Sequence, residues 1–345
     1  MFGGHSSVGN SAMIACIIGL GSIGRRYAKI LNLLNIKFDV VSSGKGSLTQ
    51  SVNTQILQDQ VGFRQYFKTL DEAIINTEYD FWIVATPSVF HSEQGAQLLS
   101  KGQNVFLEKP VAVNSEGIEL LKFKLKAYKG IAGVAYTLRA HPYVRNLSRI
   151  IKEKRFGVAI SASVVWSSYL PSWHSWEDYK TGYVARPEMG GGVTFTCSHE
   201  IDLILFLFGN LSKFSTSVSS SSHLNIPVDD CLDALFVFQS GLSCNLHLDL
   251  FQKKPRRTLE VLFDHGYIQI DFIKHSLEIY GDEISVKSLG NDISDIWSTI
   301  YQYQVSNYVG TVNNVCAKER LFATLSEGLQ VASISNQIIA GNYNV

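Results

Sequence analysis

Gly19-Leu20-Gly21-Ser22-Ile23-Gly24 follows the apolar run Ile14-Ala15-Cys16-Ile17-Ile18 and leads into a helical stretch from Arg25 to Leu34. Strand, glycine turn and helix, in that order, are what a dinucleotide site requires. Gly19 permits the tight turn, Gly21 lets backbone approach a pyrophosphate, and Gly24 lets the helix pack close on the strand. Ser22 and Ile23 complete the turn, where the helix N-terminus offers N–H groups and a positive dipole end to phosphates. The alternative is a glycine turn that serves packing alone.

Working outward, the chain has 345 residues, which suggests two domains, and it is 46% hydrophobic with zero formal net charge. A large core is therefore affordable and no polyanion such as nucleic acid is implied as a partner. Five scattered cysteines lack any C-x-x-C or metal-like spacing, so reduced thiols in a cytoplasmic protein are expected, with no metal. No apolar run approaches the ~18–20 residues of a membrane span. Residues 1–12, small and polar, read as a disordered extension or expression scar, with Met13 as a candidate start.

From Met13 to Tyr136 strand and helix signals alternate. Strands are expected at Phe38–Val41, Tyr79–Ala85, Asn104–Leu107 and Ile131–Ala135, with helices at Leu70–Asn76, Val89–Ser100 and Ser115–Lys129. This predicts a Rossmann-type, doubly wound parallel sheet over 13–136. Over 137–345 strands follow strands: Val158–Trp166, Ser212–Ser221, Leu232–Phe238, Leu242–Phe251, Thr258–Phe263, Tyr267–Phe272 and Ser276–Tyr280. Ser240-Gly241, His265-Gly266 and Gly281-Asp282 supply hairpin turns. A separate α+β domain with an open, mainly antiparallel sheet is predicted. Its closing helices, Ser294–Val312 and Ala323–Ala340, could pack back on the first domain.

A dinucleotide fold usually carries an acidic residue at the end of its second strand, for the ribose hydroxyls. Here that end reads Ser42-Ser43-Gly44-Lys45, with Arg25 and Arg26 on the neighbouring helix. Hydroxyls and cations suit a 2′-phosphate, so NADP(H) is preferred over NAD(H). Lys45 could equally belong to a solvated loop.

Two further motifs identify a family. Ala85-Thr86-Pro87 ends one strand and is followed by His91; Glu108-Lys109-Pro110 ends the next. With the glycine turn, and with Gly190-Gly191-Gly192 ahead of His199 and Asp202, the chain resembles the glucose–fructose oxidoreductase, inositol dehydrogenase and rhizopine-catabolism (Gfo/Idh/MocA) family. The resemblance implies that substrate binds between the domains, over a nicotinamide. It places Thr86, Pro87 and His91 with the cofactor and Glu108 near the nicotinamide ribose. Lys109 would approach the reacting hydroxyl, across a Lys109–Pro110 bond that is often cis in relatives. Many relatives carry an Asp and a His on one helical face; here His199 is present but Thr196 stands where the Asp is expected. Asp202 could take over the orienting role, or only anchor the helix.

Around these lie Trp166, Tyr169, Trp173, His174, Trp176, Glu177, Tyr179 and Tyr183, rings suited to the C–H faces of sugars or to packing. The stretch Tyr169–Tyr179 resembles a branch of the family that accompanies bacterial surface-sugar and sialic-acid-like pathways. Arg139 and Arg186 are the candidates to hold a carboxylate or phosphate. The expected activity is hydride exchange between nicotinamide and a carbinol carbon of a sugar derivative, with Lys109 and His199 handling the proton. Two alternatives stay open: glycoside cleavage through transient oxidation by tightly held NAD, and a non-catalytic sensor of nucleotide and sugar. Family members commonly pair through the second sheet, so a homodimer or homotetramer is expected, and Leu242–Leu250 alternates in a way that could serve that interface.

Overall fold

The computed structural model describes residues 13–43, 54–173, 178–221, 223–281, 285–288, 296–315 and 319–341. Residues 1–12, Gly44, Lys45, His174, Trp176, Glu177, Asp282 and Ser294, all named above, lie outside them.

The first half runs β1 (Ile14–Ile18), α1 (Ser22–Leu33), β2 (Lys37–Val41), α2 (Thr54–Val61), β3 (Tyr66–Phe67), α3 (Leu70–Asn76), β4 (Phe81–Val84), α4 (His91–Ser100), β5 (Val105–Leu107), α5 (Ser115–Leu125) and β6 (Ala132–Val134). The strands are short and buried on both faces, as covered parallel strands are. The α3 start is fixed by a capping box between Thr69 and Glu72.

The second half runs α6 (Pro142–Lys152), β7 (Ala159–Tyr169), α7 (Val193–Thr196), α8 (Ser198–Phe208), β8 (Leu211–Ser219), β9 (Cys231–Phe238), β10 (Ser243–Asp249), β11 (Phe251–Phe263), β12 (Gly266–Asp271), β13 (Ser276–Tyr280), β14 (Ser285–Ser288), α9 (Ile296–Val312), β15 (Ala323–Thr324) and α10 (Leu325–Ile339). Eight strands form one sheet in the order β14-β13-β12-β11-β7-β10-β9-β8. Burial alternates along β9, with Leu232, Ala234, Phe236 and Phe238 turned to the core.

Two features go beyond the sequence expectations, and a third extends the expected return of the closing helices to the first domain. The second sheet is mixed, because β7 and β10 pair in parallel while their other neighbours are antiparallel. The single strand expected over Leu242–Phe251 breaks after Asp249, whose Oδ1 accepts from the Phe251 and Gln252 amides at 3.1 and 2.8 Å. The end of the chain also returns to the first sheet. β15 pairs antiparallel with β6, giving the order β15-β6-β5-β4-β1-β2-β3, and Val305 and Tyr308 of α9 join the core cluster of β1 and α1. Neither α6 nor β15 is among the elements read from the sequence. β15 is two residues long, too short for any periodicity to register.

Arg139, in the turn Thr137–Ala140, ties these parts together. Its Nε and Nη2 donate to the two carboxylate oxygens of Asp202 in α8 at 2.9 and 2.6 Å, and Nη1 donates to Glu327 of α10 at 2.8 Å. The side chain is 2% exposed and saturated, so it cannot hold a substrate anion as the sequence suggested. Asp202 is likewise committed to Arg139 and does not orient His199. Arg139→Met should lower unfolding stability by about 3–5 kcal/mol, because it strands the buried Asp202 carboxylate. Urea denaturation checks this; a loss under about 1 kcal/mol would contradict the anchoring role.

Candidate active site

β5, β4 and β1 are neighbours in the first sheet, and their C-terminal ends carry Glu108-Lys109, Thr86-Pro87 and the glycine turn. β2 lies on the far side of β1, so strand order reverses between β1 and β4. That is the switch point at which open α/β sheets bind ligands.

The three glycines do different work. Gly19 has φ +95°, and a Cβ there would lie 2.7 Å from the Ala85 carbonyl oxygen. A Cβ on Gly24 would lie 2.0 Å from the Gly19 oxygen, whereas one on Gly21 meets nothing within 4 Å. The chain itself thus needs Gly19 and Gly24, and leaves open space above Gly21. Gly21 is also the N-cap of α1 and supplies no side-chain cap, so the N–H groups of Ser22 and Ile23 point toward that space without one. A pyrophosphate fits both observations.

At the end of β2, Ser42 and Ser43 follow Val41 with no carboxylate beside them, and Asp39 within the strand is buried against Arg64 and Tyr79. The Arg26 guanidinium stacks over the Tyr301 ring of α9, 4.5 Å from its centroid. Both ring nitrogens of His91 lie against backbone oxygens. Its Nδ1 lies 2.8 Å from the Pro110 oxygen and its Nε2 2.7 Å from the Thr86 oxygen, so the ring braces the two strand-end loops against each other. Thr86 Oγ1 donates to Gln94 at 2.7 Å.

Glu108 is buried, accepts from the Tyr27 hydroxyl at 2.6 Å, and has its pKa raised by burial, with Tyr27 and Lys109 opposing. The Lys109–Pro110 peptide is cis. Lys109 crosses to the second domain, its Nζ donating to the backbone oxygen of Thr196 at 2.7 Å. Burial lowers the Lys109 pKa, with Glu108 opposing. The glycine run positions that acceptor: Gly192, at φ +96°, packs so tightly on Asp229 that a Cβ would overlap its carboxylate. Asp229 in turn accepts from the Thr194 amide and hydroxyl at 2.8 and 2.7 Å, starting α7.

His199 begins the next helix. Its ring meets Tyr136 edge-on at 5.7 Å, and burial, then Lys109 and Arg257, drive its pKa well below the ordinary value. Among the described residues neither His199 Nδ1 nor Thr196 Oγ1 has a hydrogen-bond partner, although both are buried. Such groups are costly unless a ligand or water satisfies them.

The structure adds residues that sequence reasoning missed. Arg257 of β11 pairs with Glu200 of α8, Nε to Oε1 2.7 Å, and lies over Trp166 at 4.5 Å and Trp297 at 5.4 Å. Trp173 stacks on Trp166, centroids 5.9 Å apart, and donates from Nε1 to Ser168 at 3.1 Å. Tyr169 ends β7 opposite Phe251. The rings thus connect through Arg257 to the helix that carries His199. Arg186 is exposed and paired with Glu188 at 2.6 Å, on a segment packed against Ser88–Phe90. An arginine in the basic stretch Lys253-Lys254-Pro255-Arg256-Arg257 carries no sequence signal of its own partners, which is why Arg257 escaped notice.

Residues 14–136 match the model of the oxidoreductase family with an NAD-binding Rossmann fold, and residues 144–269 match the GFO/IDH/MocA C-terminal domain. The chain belongs to the Gfo/Idh/MocA oxidoreductase family. Among curated members of the family, the chain is 26% identical over 200 residues to 1,5-anhydro-D-fructose reductase of Ensifer adhaerens, covering 57% of this chain and 58% of that one. It is 22% identical over 262 residues to 2,7-anhydro-N-acetylneuraminate hydratase of Escherichia coli K12, covering 74% and 66%. The chain thus spans 58% and 66% of the length of these two relatives. Among solved structures, levoglucosan dehydrogenase in complex with NADH superposes with a TM-score of 0.81 at 15% identity, over 95% of this chain and 96% of that one. No single helix among the described residues is long and apolar enough to cross a membrane.

The glycine roles are separable. Gly21→Ala should keep the thermal midpoint yet weaken nucleotide binding about tenfold, ~1.4 kcal/mol. Gly24→Ala should lower the midpoint itself. Calorimetry with nucleotide titration distinguishes them; an unchanged nucleotide affinity in Gly21→Ala would remove the pyrophosphate from this turn.

Proposed function

We propose that this protein is a nicotinamide-dependent oxidoreductase acting on a CH–OH carbon of a sugar or sugar derivative. The observation that carries the reading is Lys109, delivered by β5 to the switch point, partly desolvated, and aimed beside His199 at the start of α8. Bound nicotinamide would supply or accept the hydride. The Lys109 amine, kept in a less protonated state by burial, takes the hydroxyl proton in the oxidation direction. The backbone oxygen of Thr196 fixes Nζ. His199, neutral near pH 7, has an unpartnered Nδ1 with which to bind or relay. Glu108, fixed by Tyr27, is placed for a ribose hydroxyl; Tyr169, Trp173 and Arg186 are proposed for the substrate wall.

Lys109→Ala should reduce kcat by about 10²–10⁴-fold with nucleotide affinity retained. In the wild type, oxidation should rise with pH along a limb below the ordinary lysine range of about 10.4, and the variant should lose that limb. Nicotinamide absorbance against pH over a sugar panel gives both readouts; full turnover in Lys109→Ala would refute the assignment.

The likeness to the anhydrosialate hydratase favours one second reading, tightly held NAD that is reduced and reoxidised within a single turnover. Substrate consumption without net absorbance change, by protein whose nucleotide resists dialysis, would identify it.

For the cofactor we infer NADP(H) over NAD(H), supported by Ser42 and Ser43 where a carboxylate would repel a 2′-phosphate. The expected result is a kcat/KM at least several-fold higher with NADP⁺; equal values would end the preference. A cytoplasmic setting and a homodimer or homotetramer through the outer face of the second sheet complete the proposal. Leu235 and Leu262 are exposed on that face.

A further inference from the structure

On the same outer face of the second sheet, the pairing of β9 and β10 creates a group of donors that sequence spacing conceals. Antiparallel register sets Asp233 opposite His247 and Cys231 opposite Asp249. Residues two apart on a strand share a face, so all four side chains emerge on one side as a rectangle. One ligand atom each from Cys231, Asp233 and His247 lies within 4.8 Å of the others.

We propose that Cys231, Asp233 and His247 bind a divalent, thiophilic cation of the Zn²⁺ class, with Asp249 as the residue that orients the histidine. Three distances support this. His247 Nδ1 lies 2.7 Å from Asp233 Oδ1, and Cys231 Sγ lies 3.9 Å from Asp233 Oδ2. Zinc–ligand bonds of about 2.0–2.3 Å place tetrahedral neighbours roughly 3.3–3.8 Å apart, so the donors need only small rotamer shifts to converge. His247 Nε2 lies 3.1 Å from Asp249 Oδ2, while Asp249 Oδ1 is held by the Phe251 and Gln252 amides. Metal-ligating histidines characteristically donate their second N–H to a carboxylate in this way, which leaves Nδ1 as the ligand. The donor set of thiolate, imidazole and carboxylate is one that selects zinc-like ions over magnesium or calcium.

The surroundings leave room for it. Asp233 and His247 line a hollow of about 540 Å³ with Ser163, Val165, Ser215 and Ser217 among its walls. A water molecule there completes a fourth position. Cys231 is the one cysteine among the described residues that is only half-buried. Metal binding displaces the proton of the Cys231 thiol, which is released to solvent.

The test uses the full chain, stripped with chelator and titrated with Co²⁺. The expected result is one Co²⁺ per chain, with a thiolate-to-cobalt charge-transfer band in the near ultraviolet and displacement by Zn²⁺. Cys231→Ser should abolish the band with the circular dichroism spectrum unchanged. Asp233→Asn, altering an exposed side chain, should weaken Co²⁺ binding tenfold or more, and Asp249→Asn should weaken it about 10–100-fold while keeping the band. Absence of stoichiometric binding would overturn the proposal, as would a band that survives in Cys231→Ser. Because dehydrogenase activity is not the readout, failure of this site and failure of the proposed function are independent.

Discussion

The Arg139 guanidinium, held by Asp202 and Glu327 away from water, is the interaction on which the relation between the two halves depends. Arg139 leaves the first sheet immediately after β6, Asp202 lies on α8, and Glu327 opens α10 through its capping box with Thr324. One planar cation therefore fixes the exit from the Rossmann domain, the helix that carries His199, and the return of the chain to β6. A buried ion pair of this kind contributes little net stability compared with apolar packing, but breaking one side of it is costly. Its value here is geometric. If α8 turned or slid, Thr196 and His199 would move away from Lys109.

The site itself is assembled from elements that each have a structural reason to be where they are. Gly19 and Gly24 bring α1 against β1, and α1 then delivers Tyr27 to Glu108. His91 joins the loops after β4 and β5 through two carbonyl oxygens, so Thr86 and Lys109 cannot drift apart. From the opposite side, Asp229 and Gly192 set the first turn of α7, which turns the Thr196 carbonyl toward the lysine. Beside Lys109, this bracing leaves His199 Nδ1 and Thr196 Oγ1 among the buried polar atoms without a partner. Buried polar groups without partners beside a partly desolvated lysine mark a place prepared for something else to bind.

Much of this was legible before any coordinates. The glycine turn, the two strand-end motifs and the glycine run identify the family, and the alternation of strand and helix gives the first domain. Hairpin signals at Ser240-Gly241 and His265-Gly266 separate the strands of the second domain correctly. Other readings failed for a common reason. Arg139 and His91 looked like ligand-binding residues because their chemistry suits anions and cofactors, yet Arg139 is taken up by Asp202 and Glu327 and His91 lies between the Thr86 and Pro110 carbonyl oxygens. Arg257 looked like one strand arginine among several, and acquires meaning only beside Glu200, Trp166 and Trp297.

By itself, the sequence determined which residues could carry the chemistry and the local geometry that presents them, because turn-forming glycines, strand periodicity and helix caps act over a few residues. Only the tertiary structure decided which of those side chains are still available. Hydrogen-bond saturation and burial are properties of pairs far apart in the chain: Arg139 with Glu327, His247 with Asp233, Lys109 with Thr196. Their distances are set by sheet register and by the return of the last strand to β6, and no local pattern encodes either.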